Sequence, residues 1–219
     1  MEVFNVTIKG VTPLLMHWDN LEHADVMEKW QKDPANKKLS TPGDDRTPPW
    51  RWTGYTYNDG TKVSIPNENI MRCLMEGGAM VSTGKGPKTF KAQTQSGMMT
   101  GEAFWTLTGP KGEISWGDVM KLKNDKLDFL DQRAGASALG MTLFVKRATI
   151  GTSKHVRVRP RFETWSASGT MLVTDSQLTL PVLRNIFTQA GQYKGLGDWR
   201  PGSKTPGPYG MFTATITPA

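Results

Sequence analysis

Hydrophobic and polar positions alternate through residues 2–9, with Val6 and Ile8 set against Asn5 and Thr7. That is the period of a half-buried strand, and Gly10 and Pro13 close it. At Ile65-Pro66 the period changes. Ile70, Met71, Leu74 and Met75 recur at helical spacing behind a proline suited to a first turn, and the helix runs to about residue 81, weakened by Gly77-Gly78. Residues 102–107 predict a short strand and residues 116–130 a short helical patch. Residues 140–150, 155–162 and 170–173 predict three further strands. A second helix is expected over residues 180–190, with Thr179 as its cap, Pro181 in its first turn and Leu183, Ile186 and Phe187 as its apolar stripe. Gly191 should stop it, and residues 211–216 form a closing strand. Three stretches lack either period. Residues 33–60, rich in Pro, Gly, Asp, Asn and Thr, predict a long irregular connection. Residues 82–101 are polar and glycine-rich and should project from the body. Residues 195–210 form a second glycine-rich loop.

The element order is strand, helix, two or more strands, helix, strand, which predicts an α+β fold with the βαββαβ core of ferredoxin-like and RNA-recognition domains. A single domain over residues 1–219 is expected. Its core segments fall at about 2–10, 65–81 and 140–216, and its insertions at about 11–64 and 82–139. A chain of 219 residues buries a core without covalent staples. Its single cysteine, Cys73, excludes an internal disulfide and a multi-cysteine zinc site. The chain opens on a strand pattern rather than a basic and then apolar leader, and no run of about 18 apolar residues occurs. We therefore expect a cytoplasmic protein with no membrane partner and no cofactor.

Charge sharpens the picture. Lysine and arginine number 27 against 20 acidic residues, a formal charge of +7 with a pI near 9.5. Such a balance is the electrostatic footprint of a nucleic-acid binder. The excess is local: residues 146–161 carry six Lys/Arg and no Asp or Glu. There a strand places Arg157, Arg159 and Arg161 on one face, about 7 Å apart, while Val156, Val158 and Phe162 go to the core. Cations so spaced repel unless an anion lies along them. A strand of phosphates provides one; carboxylates from elsewhere in the fold are the plainer alternative. Lys146, Arg147, Lys154 and His155 lie close enough in sequence to extend the patch. In the second glycine-rich loop, Trp199, Arg200, Lys204 and Tyr209 offer stacking faces and charge beside a backbone that phosphates can approach. The alternative there is a structural turn around a buried tryptophan. Lys85, Lys88 and Lys91, in residues 82–101, either form a solvated insertion or order on a bound ligand.

Catalytic signatures are missing. His17-Trp18-Asp19 follows the first strand, but no nucleophile is paired with it. Three histidines argue against a histidine-rich metal site. Gly84-Lys85 fails as a Walker loop, because Gly86 stands where a hydroxyl must bind magnesium.

Four segments carry a family resemblance: Gly10-Val11-Thr12-Pro13-Leu14-Leu15-Met16-His17; Ile65-Pro66 with Glu68-Asn69-Ile70; Arg159-Pro160-Arg161-Phe162 with Trp165; and Ala190-Gly191 followed by Gly195-Leu196-Gly197-Asp198-Trp199-Arg200-Pro201 and Tyr209-Gly210 with Phe212. They resemble proteins carried by phages and prophages and, more distantly, the RAMP superfamily with its CRISPR backbone subunits. The resemblance implies an RNA-recognition core, a thumb-like insertion drawing on residues 82–101, and head-to-tail packing along a single strand. His17 and Trp18, just after the first strand, are further candidate ligand contacts, and a phage-encoded chain would work in the host cytoplasm. The expectation is a non-catalytic protein that coats single-stranded DNA or RNA as an oligomer. The rivals are a ribonuclease using His17 or Asp19 and an interaction protein for an acidic partner.

Overall fold

The computed structural model describes residues 1–219, with the side chain of Ile150 left aside. Antiparallel pairing runs through two sheets. The larger has the order β10 (Phe212–Pro218), β1 (Glu2–Gly10), β9 (Ser166–Val173), β5 (Phe104–Gly109), β3 (Ser64–Pro66). Two short strands join it: β4 (Met98–Thr100) pairs with β9, and β6 (Gly112–Glu113) with β5. Alternation is faithful in β1. Phe4, Val6 and Ile8 are buried, whereas Asn5, Thr7 and Lys9 are exposed on the opposite face. In register beside Thr7 stand Ser168 and Thr215, so that outer face is lined with hydroxyls.

Helices α2 (Asn67–Gly78) and α6 (Leu180–Gln189) cover the apolar face. Ile70, Cys73 and Leu74 of the first and Leu183, Ile186 and Phe187 of the second join Phe4, Val6, Ile8, Met171 and Ile216 in one core. Gly77 lets them touch: a Cβ there would press on the Ile186 carbonyl oxygen and the Ala190 side chain. Two expected boundaries shift. Ile65-Pro66 ends a strand rather than opening the helix, and α6 runs on past Gly191 as a π-helical turn, Ala190–Lys194, closed by Gly195 at φ +68°. Thr179 takes the cap position of α6 but makes no side-chain capping bond.

The smaller sheet holds β2 (Leu14–Leu15), β8 (Ser153–Phe162) and β7 (Thr142–Ile150), in the order β2-β8-β7. The arginine strand therefore belongs to a separate hairpin rather than to the larger sheet, while β5 enters the larger sheet from within residues 82–139.

Two stretches are more ordered than their composition predicts. Residues 11–64 contain α1 (Leu21–Lys32), capped by the Asn20 side chain, and a 3₁₀ turn, Arg51–Tyr55, that buries Trp52 and Tyr55. Trp52 Nε1 donates to Gln132 Oε1 at 2.8 Å, tying this stretch to α5 (Phe129–Ala138). Residues 82–101 do not project throughout. Phe90, Thr94 and Met98 are buried, α3 (Lys91–Ser96) packs on α2, and β4 pairs with β9; the longest exposed run lies in the turn between Ser82 and Thr89. The helical patch at residues 116–130 resolves into α4 (Trp116–Lys121) and the separately capped α5.

Candidate functional site

Register decides what the hairpin presents. Directly opposed residues share a face, and the pairs Thr142–Arg161, Phe144–Arg159, Lys146–Arg157 and Ala148–His155 lie on one side. Arg147 and Lys154 fall on the other, opposite Val156 and Thr149, so they do not extend the arginine row. His155 shares the row's face but packs against Gly43, and its Nδ1 is buried without a partner.

Against the row lies the second glycine-rich loop. Together they enclose a groove of about 400 Å³ whose lining includes Phe144, Lys146, Arg157, Asp198, Trp199 and Lys204. Two features well separated in the chain thus form one site. Trp199 is held at φ +50°, a conformation costing a non-glycine residue about 1–3 kcal/mol. Its amide donates to Asp198 Oδ1 (2.9 Å) and its indole Nε1 to the Pro206 carbonyl (3.2 Å). The ring lies 5.6 Å from Tyr209 and 6.4 Å from Phe144, and Lys146 Nζ sits 3.2 Å from its centroid. The loop reaches this position because Gly197, at φ +77°, passes close to the Leu15 carbonyl oxygen, where a Cβ would collide.

The arginine row is not a line of free cations. Asp45, fully buried, accepts from Arg157 Nη1 (3.1 Å), Arg159 Nη1 (3.0 Å) and the Val158 amide (3.2 Å), with Arg51 Nε at 3.6 Å. Asp198 Oδ2 accepts from Arg159 Nε at 3.1 Å, and Arg161 pairs with Glu163 at 2.5 Å. The carboxylate alternative accordingly holds for Arg159, whose side chain is only 10% exposed and stacks 4.6 Å over Tyr55. Arg157 and Arg161 keep 30% and 29% of their side chains exposed, so each still offers a face to an incoming anion.

His17 stands at the end of this network, its Nδ1 3.8 Å from Asp198 Oδ2 and its ring edge-on to Tyr55 at 5.1 Å. Burial lowers its pKa below the ordinary histidine range and the Arg159 guanidinium lowers it further, against the opposing pull of Asp198.

The remaining candidates lie elsewhere. Trp18 turns away from the groove and packs on Tyr57. Arg200 faces α2, donating to Glu76 Oε2 and the Lys194 carbonyl, both at 3.2 Å. Lys85, Lys88 and Lys91 surround a separate depression with Gln177. Asp19 is exposed beyond His17. Sequence reasoning missed Asp45, Tyr55 and Phe144. The one signal for Asp45 was chemical: alternating arginines with no local acid require a counter-charge from somewhere.

No protein-family model matches the chain, and no curated protein matches it. No helix is long and apolar enough to cross a membrane.

Proposed function

We propose that the protein holds single-stranded nucleic acid in the hairpin groove without cleaving it. The observation that carries this reading is the apposition of a strained, ringed tryptophan with Lys146, Lys204 and the partly exposed Arg157: a stacking face beside cations. Bases of any sequence stack on aromatic rings, and phosphates of a flexible strand find the flanking charges. Lys146 now caps Trp199; a stacked base takes the ring face and leaves the ammonium for phosphate. Asp45 and Asp198 hold the arginines in place, so Arg159 is a positioning residue rather than a phosphate contact.

The βαββαβ core belongs to the same proposal. It is supported by the path β1, α2, β5, β9, α6, β10 and by the order β10-β1-β9-β5 among those strands. Head-to-tail packing of copies along the strand follows from the resemblance, and scattering that grows with ligand length tests it. The central experiment mixes purified protein with labelled single- and double-stranded DNA and RNA, with magnesium and with EDTA. Single strands shift and remain intact. Absence of any shift, or cleavage that disappears in His17→Ala, overturns the reading.

A further inference from the structure

Tyr55 has two sides. One meets the groove network: the His17 ring is 5.1 Å away and the Arg159 guanidinium 4.6 Å. The other meets the His23 ring at 6.1 Å, and beyond it opens a second recess of about 290 Å³. Trp18, His23, Asn58, Trp116 and Lys123 line this recess. Its position depends on Gly54, against whose backbone the His23 ring lies so closely that a Cβ would collide.

Like the groove, the recess sets aromatic surface beside a cation, but it holds a single lysine, and a carboxylate, Glu22, also reaches it. Trp18 and Trp116 contribute aromatic surface, and Lys123 sits at the rim, its ammonium 5.2 Å from the Trp50 ring centroid. His23 is partly buried, and its Nε2, shielded from solvent, lacks a partner that such a polar atom ordinarily finds. Burial, with Lys123 and Arg51 nearby, brings its pKa down to about 4, so the ring is neutral at pH 7. Between recess and groove stands one more cation: Arg51, whose Nε donates to the Tyr55 hydroxyl at 2.9 Å and whose side chain is 22% exposed. Groove network and recess are thus linked through Tyr55, to whose hydroxyl Arg51 is bonded.

We propose that this recess is a second base-binding subsite, taking a nucleobase further along the strand held in the groove, with Arg51 and Lys123 serving the phosphates on either side. This inference rests on the groove reading, and a length series separates the two. Labelled single-stranded oligonucleotides of two to eight residues are titrated against wild type, Lys123→Ala and Met120→Trp, the last filling the recess from an exposed rim position. Trp199→Ala serves as the groove control, and circular dichroism confirms folding. Losing one stacked base weakens binding by about tenfold. Met120→Trp should show that loss on the longer oligonucleotides and none on the shortest that binds, Lys123→Ala should lessen the salt slope by about 0.7 on the same longer lengths, and Trp199→Ala should weaken every length. Recess variants that follow the wild-type curve at all lengths, while Trp199→Ala weakens binding, overturn the subsite and leave the groove standing. Wild-type protein that binds no length removes the groove reading and the subsite with it.

Discussion

Replacing Asp45 by Asn should move stability and affinity in opposite directions. The carboxylate is fully buried and faces three guanidiniums, but these are unequal. Arg157 and Arg51, at 30% and 22% exposure, can turn toward water when it is neutralised; Arg159, at 10%, cannot. The cost is therefore that of one broken buried ion pair, about 3–5 kcal/mol. The Val158 amide adds little, since the Asn side-chain oxygen still accepts from it. At a urea dependence of about 2 kcal/mol per molar, the unfolding midpoint should fall by about 2 M. The folded protein gains one positive charge beside the groove, so single strands bind more tightly, and the slope of log K against log salt steepens by up to about 0.7. Adding Arg159→Met should recover much of the lost stability, because apolar replacement of a buried pair is often neutral. Urea unfolding followed by tryptophan fluorescence and anisotropy with a labelled oligonucleotide supply the readouts. An Asp45→Asn midpoint equal to wild type, or a double variant whose loss equals the sum of the single losses, refutes the assignment of Asp45 as the hub.

Trp199→Ala should weaken single-strand binding by about 1–3 kcal/mol with the salt slope unchanged, while Lys146→Ala should lessen the slope by about 0.7; swapped signatures would reverse the stacking and phosphate roles. The folded-state pKa of His23 lies below its unfolded value, so the unfolded chain binds more protons as pH falls from about 6.5 toward 4, and stability drops across that window. Unfolding midpoints at pH 7, 5.5 and 4.5 check this, and His23→Gln should flatten the trend. Gly197→Ala should cost more stability than Gly84→Ala: both glycines have positive φ, but a Cβ at 197 meets the Leu15 carbonyl whereas one at 84 meets open space. Thermal unfolding ranks the two.

The parts of this molecule that the sequence disclosed are those whose pattern is local. The alternation in β1 and the apolar stripes of α2 and α6 are each set by a few neighbouring residues, and each formed near its expected place. The arginine strand and the Trp199 loop were likewise visible, each by its own composition. That they face one another follows from Gly197 docking on the Leu15 carbonyl and from the Phe144–Arg159 register, contacts that no window of sequence contains. Residues 33–60 show the limit from the other side. Their Pro, Gly and Asp content signals turns, and turns they are, but turns fixed by buried Trp50, Trp52 and Tyr55 deliver Asp45 to arginines more than 110 residues away. A carboxylate carried by such a segment leaves no periodic trace. Its presence was implied only by electrostatic need, since a buried guanidinium is tolerated only when a counter-charge accompanies it. The arginine row was therefore legible as a charge pattern, whereas its pairing with Asp45 and Asp198 was not. The counter-charge that makes Arg159 structural also holds Arg157 at the groove, where its exposed face remains available to phosphate.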